Sequence, residues 1–202
     1  MNKFKDGLTR RIFGGEVVKG LSPDLVRRAI IKLTMVEAAT EIRELAAPPS
    51  NRLEKLKGDR LNQWSIRVND KYRICFKWEK SRACEIDFYR LSLTKGRRNM
   101  NKKILISVGD IIKEEYLDPM GISAYRLARE IGVSTSLMSQ IIRGKTAISA
   151  DTAWRLGQFF DTSAQYWLNM QASCNSRMIE EKYANKNLKI SSYQQFAKAL
   201  SN

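Results

Sequence analysis

Apolar side chains change their spacing partway along the chain. In LSPDLVRRAIIKLTMVEAA, residues 21–39, they recur at the spacing of a helix, which predicts one helix with a single buried stripe. The stripe consists of Leu25, Ala29, Leu33 and Val36. Ser22 can cap this helix and Pro23 suits its first turn. Pro48 and Pro49 lack amide donors, so helical structure is expected to stop there.

After the two prolines the period becomes two. In SIRVNDKYRICFKW, residues 65–78, apolar and polar side chains alternate on both sides of a VNDK turn, and ACEIDFYRL at 83–91 is a third strand candidate. Asn69 and Asp70 suit the turn because they tolerate positive φ. The alternation turns Arg73 to the polar face of its strand. Helices followed by an antiparallel meander predict an α+β unit over residues 1–91.

The alternation disappears after residue 103. Five serines each precede a stretch with helical spacing, as helix N-caps do: Ser107, Ser123, Ser134, Ser149 and Ser163. SVGD at 107–110 has the form of a capping box, with Asp in place of Glu. The pattern predicts an all-α unit over 104–202, with five short helices and turns such as DPMG and RGKT. The intervening SLTKGRRNMNKK, residues 92–103, has little apolar content and predicts a linker or tail.

The composition narrows the class of protein. Of 202 residues, 43% are hydrophobic, yet no apolar run is long enough for a transmembrane helix, which predicts a cytoplasmic protein without a membrane partner. Three cysteines without C-x-x-C spacing and the absence of histidine argue against a metal site, and no cofactor is expected. The formal net charge is +15, and residues 1–99 hold 23 basic and 12 acidic residues. This excess predicts an anionic partner, nucleic acid above all, but also suits a solvated basic surface.

A helix-turn-helix pattern occupies residues 123–149, SAYRLAREIGVSTSLMSQIIRGKTAIS. Leu127 and Ala128 can pack a first helix inward, Gly132 permits a tight turn, and Val133 fills the core. The anchors of the second helix are Leu137, Ile141 and Ile142. Short polar side chains remain for base edges and cations for phosphates. The candidate DNA contacts are Arg126, Ser134, Thr135, Ser136, Ser139, Gln140, Arg143 and Lys145. A plain helical hairpin with serine caps is the alternative.

This segment resembles the Xre/Cro-type helix-turn-helix family. The following DTAWRLGQFFDTSAQYWLNMQ, residues 151–171, resembles the end of the same domain in antitoxins of the HigA type. The resemblance covers about residues 104–180. It implies a repressor that binds operator DNA as a homodimer.

In the first unit, RLEKLKGDRLNQWSIRVNDKYRICFKW at 52–78 resembles HigB toxins of the RelE superfamily, with weaker similarity over residues 1–91. Members of that family cut mRNA on the ribosome, so the resemblance implies a metal-independent endoribonuclease. RNA cleavage without metal needs a base for the 2′-OH, cations for the phosphate and an acid for the leaving oxygen. By position, Lys57, Arg73 and Tyr89 match the family's active surface.

The remaining candidates extend this set. Glu54 can act as the base, and Arg90 can stabilise charge but cannot donate a proton at neutral pH. The candidate RNA contacts are Arg60, Arg67 and Lys77. Well-studied relatives carry Asp-Tyr-His on the last strand, where this chain has Phe88, Tyr89 and Arg90. Activity is therefore expected to be attenuated. Lys57 and Arg60 also suit ordinary surface charges, and Glu54 also suits a salt bridge.

Three functions stay open at this level. In the first, one chain is a toxin–antitoxin module whose ribonuclease is held by its own or a neighbour's antitoxin unit. In the second, the chain is a transcriptional repressor whose first unit is a catalytically inert interaction module. The third, a general RNA-binding protein, predicts RNA binding without ribosomes.

Overall fold

The computed structural model describes residues 3–91, 103–184, 186 and 190–195. We call residues 3–91 the first half and residues 103–184 the second half. The predicted linker at 92–103 lies outside the described residues except for Lys103, whose Nζ is 3.0 Å from a carboxylate oxygen of Glu181.

The first half has the predicted α+β architecture. Helices α1 (Gly7–Phe13) and α2 (Pro23–Ala38) precede strands β1 (Glu54–Lys55), β2 (Gln63–Arg67), β3 (Tyr72–Glu79) and β4 (Arg82–Arg90). The strands form one antiparallel sheet in the order β1-β2-β3-β4. Two 3₁₀ turns, Ile42–Leu45 and Pro49–Asn51, connect α2 to the sheet, and a third, Gly58–Arg60, connects β1 to β2. Helix α1 and the short β1 were not predicted, since neither has a long apolar period.

The sheet has an inner face toward α2 and an outer face away from it. The inner face carries the fully or nearly buried side chains of Ile66, Ile74, Phe76, Ile86 and Phe88. Arg73 lies opposite Tyr89 in the β3–β4 register, and both belong to the outer face by alternation. A bulge at Glu85, whose φ is +48°, shifts the register between Cys75 and Lys77.

The second half is all helical, as predicted. Helix α3 (Val108–Ile111) continues through a π-helical turn, Ile112–Leu117, into α4 (Asp118–Met120), followed by α5 (Ala124–Glu130), α6 (Thr135–Ile142), α7 (Ala150–Phe160) and α8 (Ala164–Tyr183). Every one of the five serine hydroxyls accepts the amide of the third helical residue. The expectation of short helices is wrong for α8, which has 20 residues. The turn expected at DPMG is partly helical, since Asp118–Met120 forms α4.

Helix α2 is buried on two sides because the sheet packs against one side and the second half packs against the other. All residues from 29 to 36 are buried, including Lys32 and Thr34, so the prediction of a single buried stripe is incomplete. The buried apolar side chains of both halves form one contiguous cluster. Within the described ranges, no helix combines the length and the apolar character that crossing a bilayer requires.

Candidate functional site

Several polar contacts fix the Arg73 guanidinium on the outer face. Its Nε donates to Ser65 Oγ at 2.8 Å, and its Nη2 donates to the carbonyl of Arg52 at 2.9 Å. The same Nη2 lies 2.9 Å from Oε1 of Glu54, which also accepts from Ser65 Oγ at 3.3 Å. The Arg73 side chain is 12% exposed and that of Glu54 is 52% exposed. A fixed guanidinium therefore stands beside a carboxylate that water can reach.

A second group, formed by Arg60, Asp87 and Tyr89, adjoins Arg73 across the register. Arg60 donates to both carboxylate oxygens of Asp87, at 3.2 and 3.0 Å, and to Gln63 at 3.1 Å. Its guanidinium carbon lies 3.8 Å from the centre of the Tyr89 ring. The hydrogen bond with Asp87 raises the pKa of Arg60, which stays charged.

Sequence reasoning missed Asp87. The signal was present, because Asp87 is two residues from Tyr89 and shares its face. It lies opposite Cys75 in the register and is buried. Burial and the Asp87 carboxylate raise the pKa of Cys75 to about 11, so this thiol does not supply a nucleophile at neutral pH.

The other predicted RNA-site residues make separate contacts, although Arg67 lies opposite Arg73 in the β2–β3 register. Lys57 is exposed just before the Gly58–Arg60 turn. Lys77 pairs with Glu85 at 2.8 Å, and Arg67 pairs with Asp70 and lines a cavity of about 580 Å³ where the two halves meet. Arg90 lies opposite Tyr72, with its guanidinium carbon 5.6 Å from the centre of that inner-face ring. The side chains of Arg90 and Tyr89 therefore lie on opposite faces of the sheet.

This outer face can hold a phosphate and accept a proton. Arg73 and Arg60 offer fixed guanidinium donors, and Glu54 offers an accessible carboxylate in contact with Arg73. The chain lacks histidine, and Lys57 and the Tyr89 hydroxyl are the candidate proton donors on this side. Within the described residues, no three Cys, Asp or Glu side chains group as metal ligands would.

The helix-turn-helix has the predicted core, with one correction. Leu127 and Ala128 are fully buried, and Gly132 has φ of +68°, which favours glycine at the turn. The principal anchors of α6 are Met138 and Ile141, both fully buried. Leu137 and Ile142 are only partly buried, and Met138 was not predicted.

The predicted DNA contacts lie mostly on the exposed side of α6 and its flanks. The exposed ones are Arg126, Ser134, Thr135, Ser136, Gln140, Arg143 and Lys145, whereas Ser139 is half-buried. Ser134 is already used, because its hydroxyl accepts the amide of Leu137 at 3.1 Å. Gln140 donates to Ser136 Oγ at 3.4 Å and accepts from Thr146 at 3.0 Å, so its amide is oriented before any DNA arrives.

Comparisons with known proteins match the two halves separately. The family model described as the RelE-like toxin of the type II toxin–antitoxin system HigB matches residues 2–89, and a helix-turn-helix model matches residues 112–167. Toxin HigB-1 of Vibrio cholerae is 35% identical over 77 residues, which are 38% of this chain and 81% of that toxin.

Relatives of the second half include virulence-associated protein I of Dichelobacter nodosus, 46% identical over 40% of this chain and 75% of that protein. Antitoxin HigA-1 of Vibrio cholerae is 36% identical, over 35% of this chain and 66% of its own length. Among solved structures, Pseudomonas aeruginosa antitoxin HigA with the higBA promoter has 35% identity and a TM-score of 0.41, over 45% of this chain and 99% of that one. The chain belongs to the RelE-like HigB toxin family through its first half, and its second half is a helix-turn-helix domain similar to HigA antitoxins.

Proposed function

We propose that this chain is a toxin–antitoxin module in one polypeptide. The first half is a metal-independent endoribonuclease that cuts mRNA on the ribosome, and the second half neutralises it and represses the operon by binding operator DNA in the cytoplasm. The observation that carries the proposal is the docking of a HigA-type half on α2 of a HigB-like half. The second half docks on α2, and α2 covers the inner face of the sheet. The outer face with Arg73 therefore stays open. Neutralisation then acts by added bulk that prevents entry into the ribosome.

The chemistry of the outer face supports a slow ribonuclease. Glu54 takes the proton of the 2′-OH, and Arg73 stabilises the negative charge that builds on the phosphate. Arg60 holds the Tyr89 ring from one side, which leaves the other side for stacking on a base. With no histidine in the chain, proton donation to the leaving oxygen falls to a weaker acid, and the rate is expected to be low.

The second half supports operator binding as a homodimer. Helix α6 presents Thr135 and Ser136 at its N-terminal end, where base edges are read in the major groove. Arg143 and Lys145, exposed beyond its other end, suit phosphates. Tyr125 and Trp154 are exposed aromatic side chains that a second copy can cover.

A second candidate function is a repressor with an inert first half. Phe88 and Arg90, which stand where the family has Asp and His, favour this function because both side chains pack against Tyr72. The Phe88 ring stacks on Tyr72 with centroids 4.8 Å apart and an interplanar angle of 8°, and Arg90 lies over the same tyrosine. Phe88→Asp would bury a carboxylate in this stack, so Arg90→His is the cleaner test of a missing acid.

The deciding experiment compares residues 1–95 with the whole chain, in growing cells and on purified ribosomes. The proposal expects growth inhibition and mRNA cleavage by the fragment and neither by the whole chain. Equal inhibition by both contradicts neutralisation. A folded fragment that neither cuts nor is rescued by Arg90→His favours the inert module. Cleavage of free RNA without ribosomes would instead indicate a general RNA-binding enzyme.

A further inference from the structure

The surface where the halves meet carries charges that are removed from water. We call this surface the docking face; it comprises α2 and the 3₁₀ turns Ile42–Leu45 and Pro49–Asn51. Lys32, 3% exposed, contacts Glu115 of the π-helical turn and donates to Asn51 Oδ1 at 2.7 Å and Ser50 Oγ at 2.9 Å. Ser50 also donates to Glu115 at 2.5 Å. Both ends of this ion pair are buried, and each comes from a different half.

A second buried charge caps a helix of the other half. Glu44, 1% exposed, accepts the amide of Ser163 at 3.0 Å and also its hydroxyl. Its other oxygen accepts the amides of Thr40 and Glu41 at 2.7 and 3.0 Å. Ser163 is the N-cap of α8, but the third helical residue is Tyr166, which has no carboxylate to complete a capping box. The first half supplies that carboxylate.

In the third contact, the second half supplies the buried charge and the first half supplies its partners. Arg177 of α8 is 7% exposed and donates to Thr34 Oγ1 of α2 at 2.8 Å, while its guanidinium carbon lies 4.6 Å from the centre of the Phe13 ring. Thr34 is fully buried. Each half therefore places at least one charged group inside the other, and none of the three can return to water while the halves stay docked.

We propose that these three contacts select the antitoxin. The docking face accepts a helical partner that presents a carboxylate opposite Lys32, an incompletely capped helix N-terminus opposite Glu44 and a guanidinium opposite Thr34. The second half of this chain is that partner. A helical unit with equal apolar area but without these groups would leave Lys32 or Glu44 buried and uncompensated, which costs more than apolar contact returns. The inference rests on the proposed neutralisation and names the residues by which it is made specific.

The Ser163 amide provides a direct measurement of docking in the full chain. Because its acceptor belongs to the first half, its hydrogen-exchange protection reports how often the halves separate. Lys32→Met and Glu115→Leu should each lower that protection by at least about 30-fold, because one buried charge loses its partner. The double variant should regain most of the protection, since both charges are gone and the volume is kept. Lys113→Met, which removes an exposed ion pair with Asp118 in the same π-helical turn, is the matched control and should stay near wild type.

Additive losses in the double variant, or single variants that match the control, would overturn the proposal. Glu115→Gln keeps the shape of the side chain and covers the case in which a bulkier change prevents folding; it should lower protection about 10-fold, and no change would count against the ion pair. The measurement uses neither RNA nor DNA. A freely exchanging Ser163 amide in the wild-type chain overturns the proposal whatever the toxicity of residues 1–95.

Discussion

The docking face and the outer face of the sheet both carry paired charges, but they differ in access to water. Lys32 and Glu44 of the docking face, and Arg177 of α8, which contacts that face, are each less than a tenth exposed. On the outer face, Glu54 is half exposed and Tyr89 is 37% exposed. A buried pair cannot exchange its partner without a large penalty, whereas an exposed carboxylate can release its cation when a phosphate arrives. The difference separates charges that hold the halves together from charges that remain available for an anion.

Arg73 tests this distinction most strongly, because it combines low exposure with an exposed partner. Arg73→Ala in residues 1–95 should lower mRNA cleavage by about 10²–10³-fold, since one preorganised donor to the developing charge is lost. Cleavage on purified ribosomes measures the effect, and circular dichroism checks the fold. Arg82→Ala, an exposed arginine at the other end of β4 from Tyr89, is the matched control. Equal cleavage by wild type and Arg73→Ala would mean that Arg73 serves structure alone.

Arg177 tests the opposite side of the comparison. Arg177→Ala should lower the free energy of unfolding of the whole chain by about 2–3 kcal/mol, because the charged hydrogen bond to buried Thr34 and the contact with Phe13 are both lost. Urea unfolding measures this loss. Arg129→Ala, an exposed arginine in the last turn of α5, should change little. If the two substitutions lower the free energy of unfolding equally, the buried contacts of Arg177 with the docking face add no more stability than an exposed arginine does.

The exposed side of α6 should respond differently from the docking face, since its residues face solvent. Ser136→Ala should cost about 1–3 kcal/mol at one base pair of the operator and leave other positions unaffected. Lys145→Ala should weaken binding to all sequences alike and flatten the salt dependence by about one unit of slope. Binding to an operator and to single-base variants at several salt concentrations separates these effects. Half-sites should lie about one helical turn, or a multiple of it, apart, and protection of a single half-site would contradict a dimer.

Local patterns predicted what local interactions decide. The serine caps depend on atoms three residues apart, and all five form as expected. Period-two alternation likewise turned Arg73 and Tyr89 to one face. The same alternation implies that Arg90 shares the face of Phe88, so the sequence pattern alone predicts that the Arg90 and Tyr89 side chains lie on opposite faces.

Contacts distant in sequence were beyond prediction. Nothing around Lys32 or Glu44 indicates that Glu115 and Ser163 will cover them, because the partners lie 83 and 119 residues away. Gly109 is a similar case: a Cβ there would come within 2.0 Å of the carbonyl oxygen of Ile141, so only glycine lets α3 approach the end of α6. Such a requirement depends on packing between elements and leaves no periodic signal.

We expect the two halves to unfold at the same urea concentration. Cys75 lies in the first half and Cys174 in α8, and burial raises the pKa of each thiol to about 11. At pH 8 only about one thiol in a thousand is then ionised in the native chain, so alkylation reports unfolding.

Because the buried apolar side chains of both halves form one cluster, Cys75 and Cys174 should become reactive over the same range of urea concentration. Pulse alkylation with iodoacetamide, read by mass spectrometry of each cysteine peptide, measures the two transitions separately. The pulse is applied at pH 8. As the pH rises from about 9 to 11, thiols ionise in the unfolded chain before they ionise in the native chain, and this lowers the stability of the native chain in that pH range. Midpoints about 1 M apart would show that the halves unfold independently, and the buried charges of the docking face would then join two separately stable units.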